Sequence, residues 1–336
     1  MGVDLPLVWT CVIGFGLMMY VIMDGFDLGI GILFPLVRER SDRDTMVNSI
    51  APVWDGNETW LVLGGAAMFA AFPLAYAILL SALYLPLMAM LAGLIWRGVS
   101  FEFRFKASEQ MKLFWDRAFS CGSYVATFFQ GVTLGAFING VQNDGQQFTG
   151  GALDCFTPFS IFTGLGLIAA YALLGSTWLV MKTSGSIQRH MRDLSVWISI
   201  ALIAVILIVS AWTPFIHSAI AARWFEPRNF VFFAPVPLLV IGSTWLQVRI
   251  LQKRDPGAMP FALSLLIIFL GYSGLALSIW PNIIPPSMSI WAAAAPPESM
   301  GFALVGTLAI IPFVLMYTAW SYYVFRGKTV DAENYH

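Results

Sequence analysis

Long runs of apolar residues recur along most of this chain, and they constrain its fold more than any other feature. A helix of about 20 such residues is long enough to cross the hydrocarbon core of a bilayer. The sequence predicts nine spans, at 7–36, 53–73, 76–97, 118–140, 157–181, 193–213, 229–251, 259–280 and 301–325. Only Phe72-Pro73-Leu74 separates the second span from the third. We expect a tight turn there, because proline cannot donate to a helix ladder.

Composition supports the same fold class. Of the 336 residues, 58% are hydrophobic and only 11% are charged, whereas a soluble domain has about 25% charged residues. We therefore predict an all-α integral membrane protein, a single polytopic domain over residues 1–336. The net charge of −1 and the lack of a basic stripe give no case for a nucleic-acid partner. The three cysteines are far apart, so neither a disulfide framework nor a cysteine metal site is expected.

The basic residues predict the orientation of the chain in the membrane. All but Arg223 and Arg228 of the 18 Lys and Arg residues follow the first, third, fifth, seventh and ninth spans. Cytoplasmic loops carry an excess of such residues. The N-terminus is therefore expected outside and the C-terminus in the cytoplasm. Because Asp4 and no positive charge precede the first span, we expect that span to remain in the mature protein and not to be a signal peptide.

The first span contains two carboxylates, Asp24 and Asp27, which lie i,i+3 and share one helix face. Gly25 and Gly29 lie beside them and would let another helix approach closely. Acids within membrane spans are costly and often mark a route for protons or ions. The structural alternative is that these acids pair with an arginine or cap a helix end.

Two further acids, Asp55 and Glu58, are also i,i+3 and follow Pro52, which favours the first turn of a helix. Stabilisation by the helix dipole would explain them completely. A dipole does not, however, require the flanking Trp54 and Trp60. We therefore favour a proton entrance at the cytoplasmic face.

The end of the third span carries Arg97, the natural partner of these acids. It could neutralise Asp27, could face an anionic cofactor group in a partner subunit, or could extend its side chain to the cytoplasmic surface. Glu102 follows, i,i+4 from Lys106. A solvated helical extension is the default interpretation of that spacing, with a role in proton transfer as the alternative.

Histidine is scarce, and none lies well inside a span. The three are His190, His217 and His336. Because haem b iron takes axial His or Met ligands within a helical core, this chain is expected to bind no haem with ligands of its own. No motif for binding nucleotides or for zinc hydrolysis is present in the sequence.

A short internal repeat is also present, since Gly175-Ser176-Thr177-Trp178-Leu179 recurs as Gly242-Ser243-Thr244-Trp245-Leu246. The two copies lie two spans apart, so their helices run the same way. A duplicated helix pair would produce this pattern, and so would small residues beside an interfacial tryptophan.

At the acidic motifs the chain closely resembles subunit II of the bacterial cytochrome bd quinol oxidases. The matching segments are Asp24-Gly25-Phe26-Asp27-Leu28-Gly29-Ile30-Gly31, Asn48 to Trp60 with its Trp54-Asp55-Gly56-Asn57-Glu58 core, and Arg97 with Phe101-Glu102-Phe103-Arg104. The compact loops, and Glu58 where some relatives have Gln, resemble the cyanide-insensitive branch. The resemblance implies two four-helix bundles plus one peripheral helix, in a multi-pass protein of the bacterial inner membrane.

The resemblance also implies an electrogenic, non-pumping oxidase of which this chain alone would be inactive. A heterodimeric partner, subunit I, would carry a low-spin haem b, a high-spin haem b and haem d, and would oxidise quinol at the outer face. This chain would scaffold subunit I and help supply cytoplasmic protons for the reduction of O2 to water. A quinone can also bind subunit II in this family, and a small single-span accessory subunit can join the complex; lipid surrounds both.

For individual residues, the resemblance implies that Asp55 lies at a cytoplasmic proton entrance and that Asp27, Arg97 and Trp54 lie near the haem-propionate region at the subunit interface. We expect Glu58, Asp24 and Asp27 to belong to the same proton path as Asp55. Two other hypotheses fit parts of the sequence. A proton-coupled transporter should show a substrate cluster near the bilayer centre, whereas these acids lie towards the cytoplasmic side. A purely structural subunit would use the acids only to hold helices together.

Overall fold

The computed structural model describes residues 3–226, 229 and 233–329. Within them the chain is almost entirely helical. The helices are α1 (Leu5–Leu33), α2 (Arg40–Asn48), α3 (Trp54–Ala71), α4 (Pro73–Lys106), α5 (Glu109–Asn139), α6 (Pro158–Lys182), α7 (Gly185–Ile216), α8 (Ser218–Phe225), α9 (Pro235–Leu251), α10 (Met259–Ile279) and α11 (Pro297–Val324). A short 3-10 helix, Phe34–Leu36, extends α1, and the strands β1 (Asn282–Ile284) and β2 (Met288–Ser289) form an antiparallel pair between α10 and α11.

Each predicted span overlaps one helix, often with different bounds. The predicted break near Pro73 is present, because α3 ends at Ala71 and α4 begins at Pro73. By length and apolar composition, seven described helices could cross a membrane: α1, α4, α5, α6, α7, α10 and α11. Apolar α9 is shorter. Helix α3 has 18 residues but begins with several polar ones. The start of the predicted span at 229–251 lies partly outside the described residues, as do Arg228 and His336.

The helices pack around α1 and α6, which cross in close contact. The main neighbours are α4 with α5, α5 with α6, α6 with α7, α9 with α10, and α1 with both α3 and α6. At the crossing, a Cβ atom on Gly29 would lie 1.9 Å from the carbonyl oxygen of Tyr171, and one on Gly175 would lie 2.5 Å from the backbone of Gly29. The prediction that glycines beside Asp24 and Asp27 admit another helix is therefore confirmed, and the partner is α6.

Helix α11 lies at the periphery. It contacts α3 and α1, and Met300 is the buried residue among those described along its length. Large apolar side chains such as Phe302 and Phe313 are mostly exposed, at 87% and 68%. A helix that exposes apolar residues on most of its surface suits a lipid environment, in which such exposure carries no hydrophobic cost.

The two copies of the internal repeat occupy different environments. Gly175 lies against the backbone of α1, whereas an added Cβ on Gly242 would meet nothing within 4 Å. Trp178 is 4% exposed and Trp245 is 61% exposed. The packing therefore gives no support to a duplicated helix pair.

A group of buried charges joins α2, α4 and α5 at one end of the bundle. Asp116 accepts from Arg104 at 2.7 Å and from Arg43 at 3.0 Å, and Arg104 also bonds Asp44 at 2.7 Å. Each of the two guanidinium groups lies 5.5 Å from the Phe34 ring centroid. Asp116 is 7% exposed, so it neutralises two cations that would otherwise be poorly solvated.

Replacing Asp116 with asparagine should destabilise the protein by about 3 kcal/mol, because breaking a buried ion pair leaves uncompensated charge. The effect should appear as a lower unfolding temperature of the purified complex. Asp193→Asn is the matched control, since Asp193 pairs with Arg192 at 3.4 Å but is 74% exposed, and exposed pairs contribute little. Equal unfolding temperatures for both variants would contradict this assignment.

Candidate functional site

The predicted acids of α1 meet α3 and α4 inside the protein. Asp24 and Asp27 are both fully buried, as is Arg97 of α4. Arg97 Nη2 lies 2.5 Å from Asp24 Oδ1 and 3.7 Å from Glu58 Oε2. One guanidinium group therefore links a carboxylate of α1 with a carboxylate of α3.

Two of the alternatives for Arg97 need correction. Its ion pairs are with Asp24 and Glu58, not with Asp27. Its side chain is 0% exposed, so it does not extend to the surface of this chain. The reason is that Asp24 of α1 and Glu58 of α3 contact the guanidinium group, and the Trp54 ring centroid lies 5.5 Å from its carbon. Such a contact adds a favourable cation–π attraction.

Asp27 instead receives a neutral donor. Asn57 Nδ2 donates to Asp27 Oδ2 at 2.7 Å and to the carbonyl oxygen of Met23 at 3.2 Å. The Tyr322 hydroxyl of α11 donates to Asn57 Oδ1 at 2.9 Å. The two acids of α1 thus differ in their partners, since Asp24 contacts a cation and Asp27 contacts an amide.

Burial increases in steps from the start of α3 towards α1. Asp55 lies in the first turn of α3 and is exposed. The side chain of Glu58, one turn further, is 32% exposed, and those of Arg97 and Asp24 are fully buried. Because α3 begins without a side-chain cap, stabilisation of its dipole by Asp55 fits this arrangement as well as a proton entrance does.

Several buried polar atoms near these acids have no hydrogen-bond partner among the described residues. They are Asp24 Oδ2, Asp27 Oδ1, Arg97 Nε, Arg97 Nη1, Tyr20 Oη and Trp60 Nε1. Buried polar atoms are usually paired, so each of these exceptions calls for an explanation. Donors and acceptors stand together here, which is the chemistry that proton transfer requires.

Glu102 lies apart from this group. Helix α4 continues to Lys106, and Glu102 is on its exposed face. The helical extension that the spacing predicted is therefore present, with Glu102 exposed on the surface of this chain. Arg104 points to the other side and joins the buried charges around Asp116.

The histidines are also dispersed. His190 is exposed near the start of α7 and His217 follows the end of that helix. Within the part of the chain that the structure describes, no group of three or more His, Cys, Asp or Glu side chains could hold a metal ion.

Tyr322 and Asn57 join the site only in the folded protein. The position of Asn57 inside the acidic motif is the one sequence signal that points to it. Tyr322 is 265 residues away in sequence and has no local pattern that distinguishes it from other tyrosines near the end of a span.

Comparisons of the sequence with a family profile and with known proteins agree on one family. The profile of cytochrome bd terminal oxidase subunit II matches residues 5–325. The chain is 27% identical to the cytochrome bd-I ubiquinol oxidase subunit 2 of Escherichia coli K12, covering 98% of this chain and 96% of that protein. It is 28% identical to the cytochrome bd ubiquinol oxidase subunit 2 of Bacillus subtilis, covering 94% of each.

A solved structure has the same fold. A chain of the bd oxidase from Geobacillus thermodenitrificans superposes with a TM-score of 0.79, covering 96% of this chain and 98% of the other. The sequences are 16% identical over that match.

Proposed function

Because the chain belongs to the family of cytochrome bd terminal oxidase subunit II, and so to an oxidoreductase complex with a haem-bearing subunit I, we propose that it scaffolds that partner and supplies part of a cytoplasmic proton path. The single observation that carries the proposal is the stepwise burial from Asp55 through Glu58 to Arg97 and Asp24. Protons leaving water meet an exposed carboxylate first, a half-buried one next, and a buried ion pair last.

The finer topology belongs to the same proposal. The chain forms a single membrane domain in which α1, α3, α4, α5, α6, α7, α9, α10 and α11 are nine spans. They make two four-helix bundles with α11 peripheral, the N-terminus outside and the C-terminus in the cytoplasm. The distribution of basic residues supports this orientation, because the predicted cytoplasmic side carries nearly all of them. The membrane is the bacterial inner membrane.

Subunit I would hold low-spin b, high-spin b and d haems and oxidise quinol. We place Asp27, Arg97 and Trp54 towards the haem-propionate region of that partner. Trp54 is half-buried while the other two are enclosed, so contact with the partner would involve Trp54 first. A cavity of about 390 Å³ lies between the ends of α5, α6 and α7, with Phe159 and Trp212 in its lining. Its volume is within the range of small-molecule sites, and polar Asn139 and Asp154 line it together with these aromatic rings. We propose it as the quinone site.

Two other hypotheses have less support. A transporter would need a substrate site near the bilayer centre, whereas Asp24 and Glu58 are both paired with Arg97. A purely structural subunit would have no need for unpaired buried atoms on both Asp24 and Asp27.

Changing Asp55 to asparagine tests the proton path. In the complete oxidase, quinol-driven oxygen uptake should slow by roughly tenfold, because loss of one acid–base group typically costs at least that much. The haem absorption spectrum per complex should stay unchanged, since Asp55 is exposed and contributes no buried packing. Uptake is measured with an oxygen electrode.

The matched control is Asp255→Asn, an exposed acid between α9 and α10. Its turnover should equal that of the unmodified complex. Normal turnover in Asp55→Asn would remove Asp55 from the path, and a parallel loss of haem and turnover would assign it a structural role instead.

A further inference from the structure

The peripheral helix α11 reaches the acidic site through one side chain. Among the described side chains of α11, Tyr322 is the one whose hydrogen bond extends to another helix, through its hydroxyl to Asn57 Oδ1 at 2.9 Å. Its ring meets the rings of Phe26 and Trp178 edge-on, with centroids 6.4 and 6.1 Å apart. The ring is therefore held by aromatic packing that does not depend on the hydroxyl.

The Tyr322 hydroxyl is one of three partners that hold the Asn57 amide in a single orientation. A side-chain amide offers an acceptor oxygen on one side and a donor nitrogen on the other. The Tyr322 hydroxyl donates to Oδ1, the Met23 carbonyl oxygen accepts from Nδ2 at 3.2 Å, and together they keep Nδ2 directed to Asp27 Oδ2 at 2.7 Å. A reversed amide would place an oxygen against the carboxylate and leave that buried oxygen without a donor, which is unfavourable.

Among the described residues, Asp27 is the one charged side chain that bonds the Asn57 amide. The groups that face Asp27 are Asp24 of α1, Glu58 of α3, Arg97 of α4 and Tyr322 of α11, while Tyr171 of α6 bonds Gln130 of α5 at 2.7 Å nearby. Helix α10, which also contacts α1, has no charged residue. The ion pairs of Arg97 go to Asp24 and Glu58.

We infer that Tyr322 is a positioning residue for Asp27, acting through Asn57, so that the peripheral helix sets the geometry of one acid in the proton path. The Asn57 amide holds Oδ2 of Asp27. The other oxygen, Oδ1, has no partner among the described residues and is the atom that would gain and lose the proton. This inference rests on the proposed function. It extends that function by assigning a role to α11, whose remaining described surface is largely exposed.

Tyr322→Phe in the complete oxidase isolates the hydroxyl. Quinol-driven oxygen uptake should fall by about threefold to tenfold, the range expected for one hydrogen bond, and its dependence on pH should shift. The haem spectrum should not change. Tyr323→Phe, a neighbour on α11 that is 58% exposed, is the matched control and should leave uptake and its pH dependence as they were.

A double variant separates positioning from a general packing effect. If Tyr322 acts through Asp27, adding Tyr322→Phe to Asp27→Asn should slow uptake no further than Asp27→Asn alone. The inference would be overturned if the losses of oxygen uptake in the two single variants added up in the double variant. It would also be overturned if Tyr322→Phe had normal uptake and pH dependence while Asp27→Asn was slow. Either result would leave the proposed proton path intact. Normal uptake in Asp27→Asn would instead remove Asp27 from the path, and this inference with it.

Discussion

Replacing Gly29 with alanine is expected to prevent assembly of a stable oxidase. The new Cβ would lie 1.9 Å from the carbonyl oxygen of Tyr171 and 2.9 Å from the backbone nitrogen of Gly175. Both are backbone atoms, so no side-chain rotation relieves the overlap, and α1 and α6 must separate along their crossing. Overpacking a well-packed core costs about 1–3 kcal/mol, and a clash between two backbones belongs at or above the upper end of that range.

The measurement is the yield of haem-containing complex recovered from membranes, with its unfolding temperature. Gly14→Ala is the matched control on the same helix, because its Cβ would meet the Tyr272 hydroxyl at an ordinary 3.6 Å. Gly175→Ala should reproduce the loss, since its Cβ would lie 2.5 Å from Gly29. A normal yield of Gly29→Ala would show that the two helices have room to separate.

The glycines also show how far sequence could predict this fold. Spacing of Gly25 and Gly29 beside two acids indicated a close helix contact, because the requirement is local to α1. It could not indicate α6 as the partner, since nothing in α1 encodes which helix supplies the facing surface. In the sequence Gly175 stands out only as part of a repeat, and its packing role depends on the close approach of α1 and α6 in the folded chain.

The sequence predicts which charged residues form the acidic site, but not which acid pairs with Arg97. Asp24, Asp27 and Arg97 were identified because charges within apolar runs are conspicuous. Whether Asp24 or Asp27 pairs with Arg97 depends on how α1 is rotated about its axis relative to α4. Because the two acids share one helix face, a small rotation decides between them. Asn57 and Tyr322 are uncharged, so composition gave no signal that a long-range hydrogen bond joins them.

Some basic residues have a packing role in addition to predicting the orientation of the chain in the membrane. Arg43 and Arg104 were counted as loop charges that predict the cytoplasmic side, yet both pair with Asp116 in a largely buried group. A count of charges is insensitive to burial, because the same residue contributes equally whether it is solvated or paired. The structure therefore adds a packing role to residues whose sequence role was topological.

Replacing Arg97 with alanine should cause the second large loss. It would leave Asp24, which is fully buried, and Glu58 without their shared cation. Removing one partner of a buried ion pair costs about 3–5 kcal/mol, because the remaining charge is uncompensated. We expect little assembled complex, or a complex whose haem spectrum is altered. Arg189→Ala, at an exposed position of α7, should leave both properties unchanged.

A compensating variant distinguishes charge balance from a direct role in proton transfer. Adding Asp24→Asn to Arg97→Ala removes the uncompensated buried charge, so the yield of complex should recover in part. Oxygen uptake should remain slow, because both the guanidinium group and the carboxylate are then missing from the path. Recovery of yield and turnover together would show that the pair only stabilises the fold. A normal yield and spectrum in Arg97→Ala alone would show that the buried pair is needed for neither.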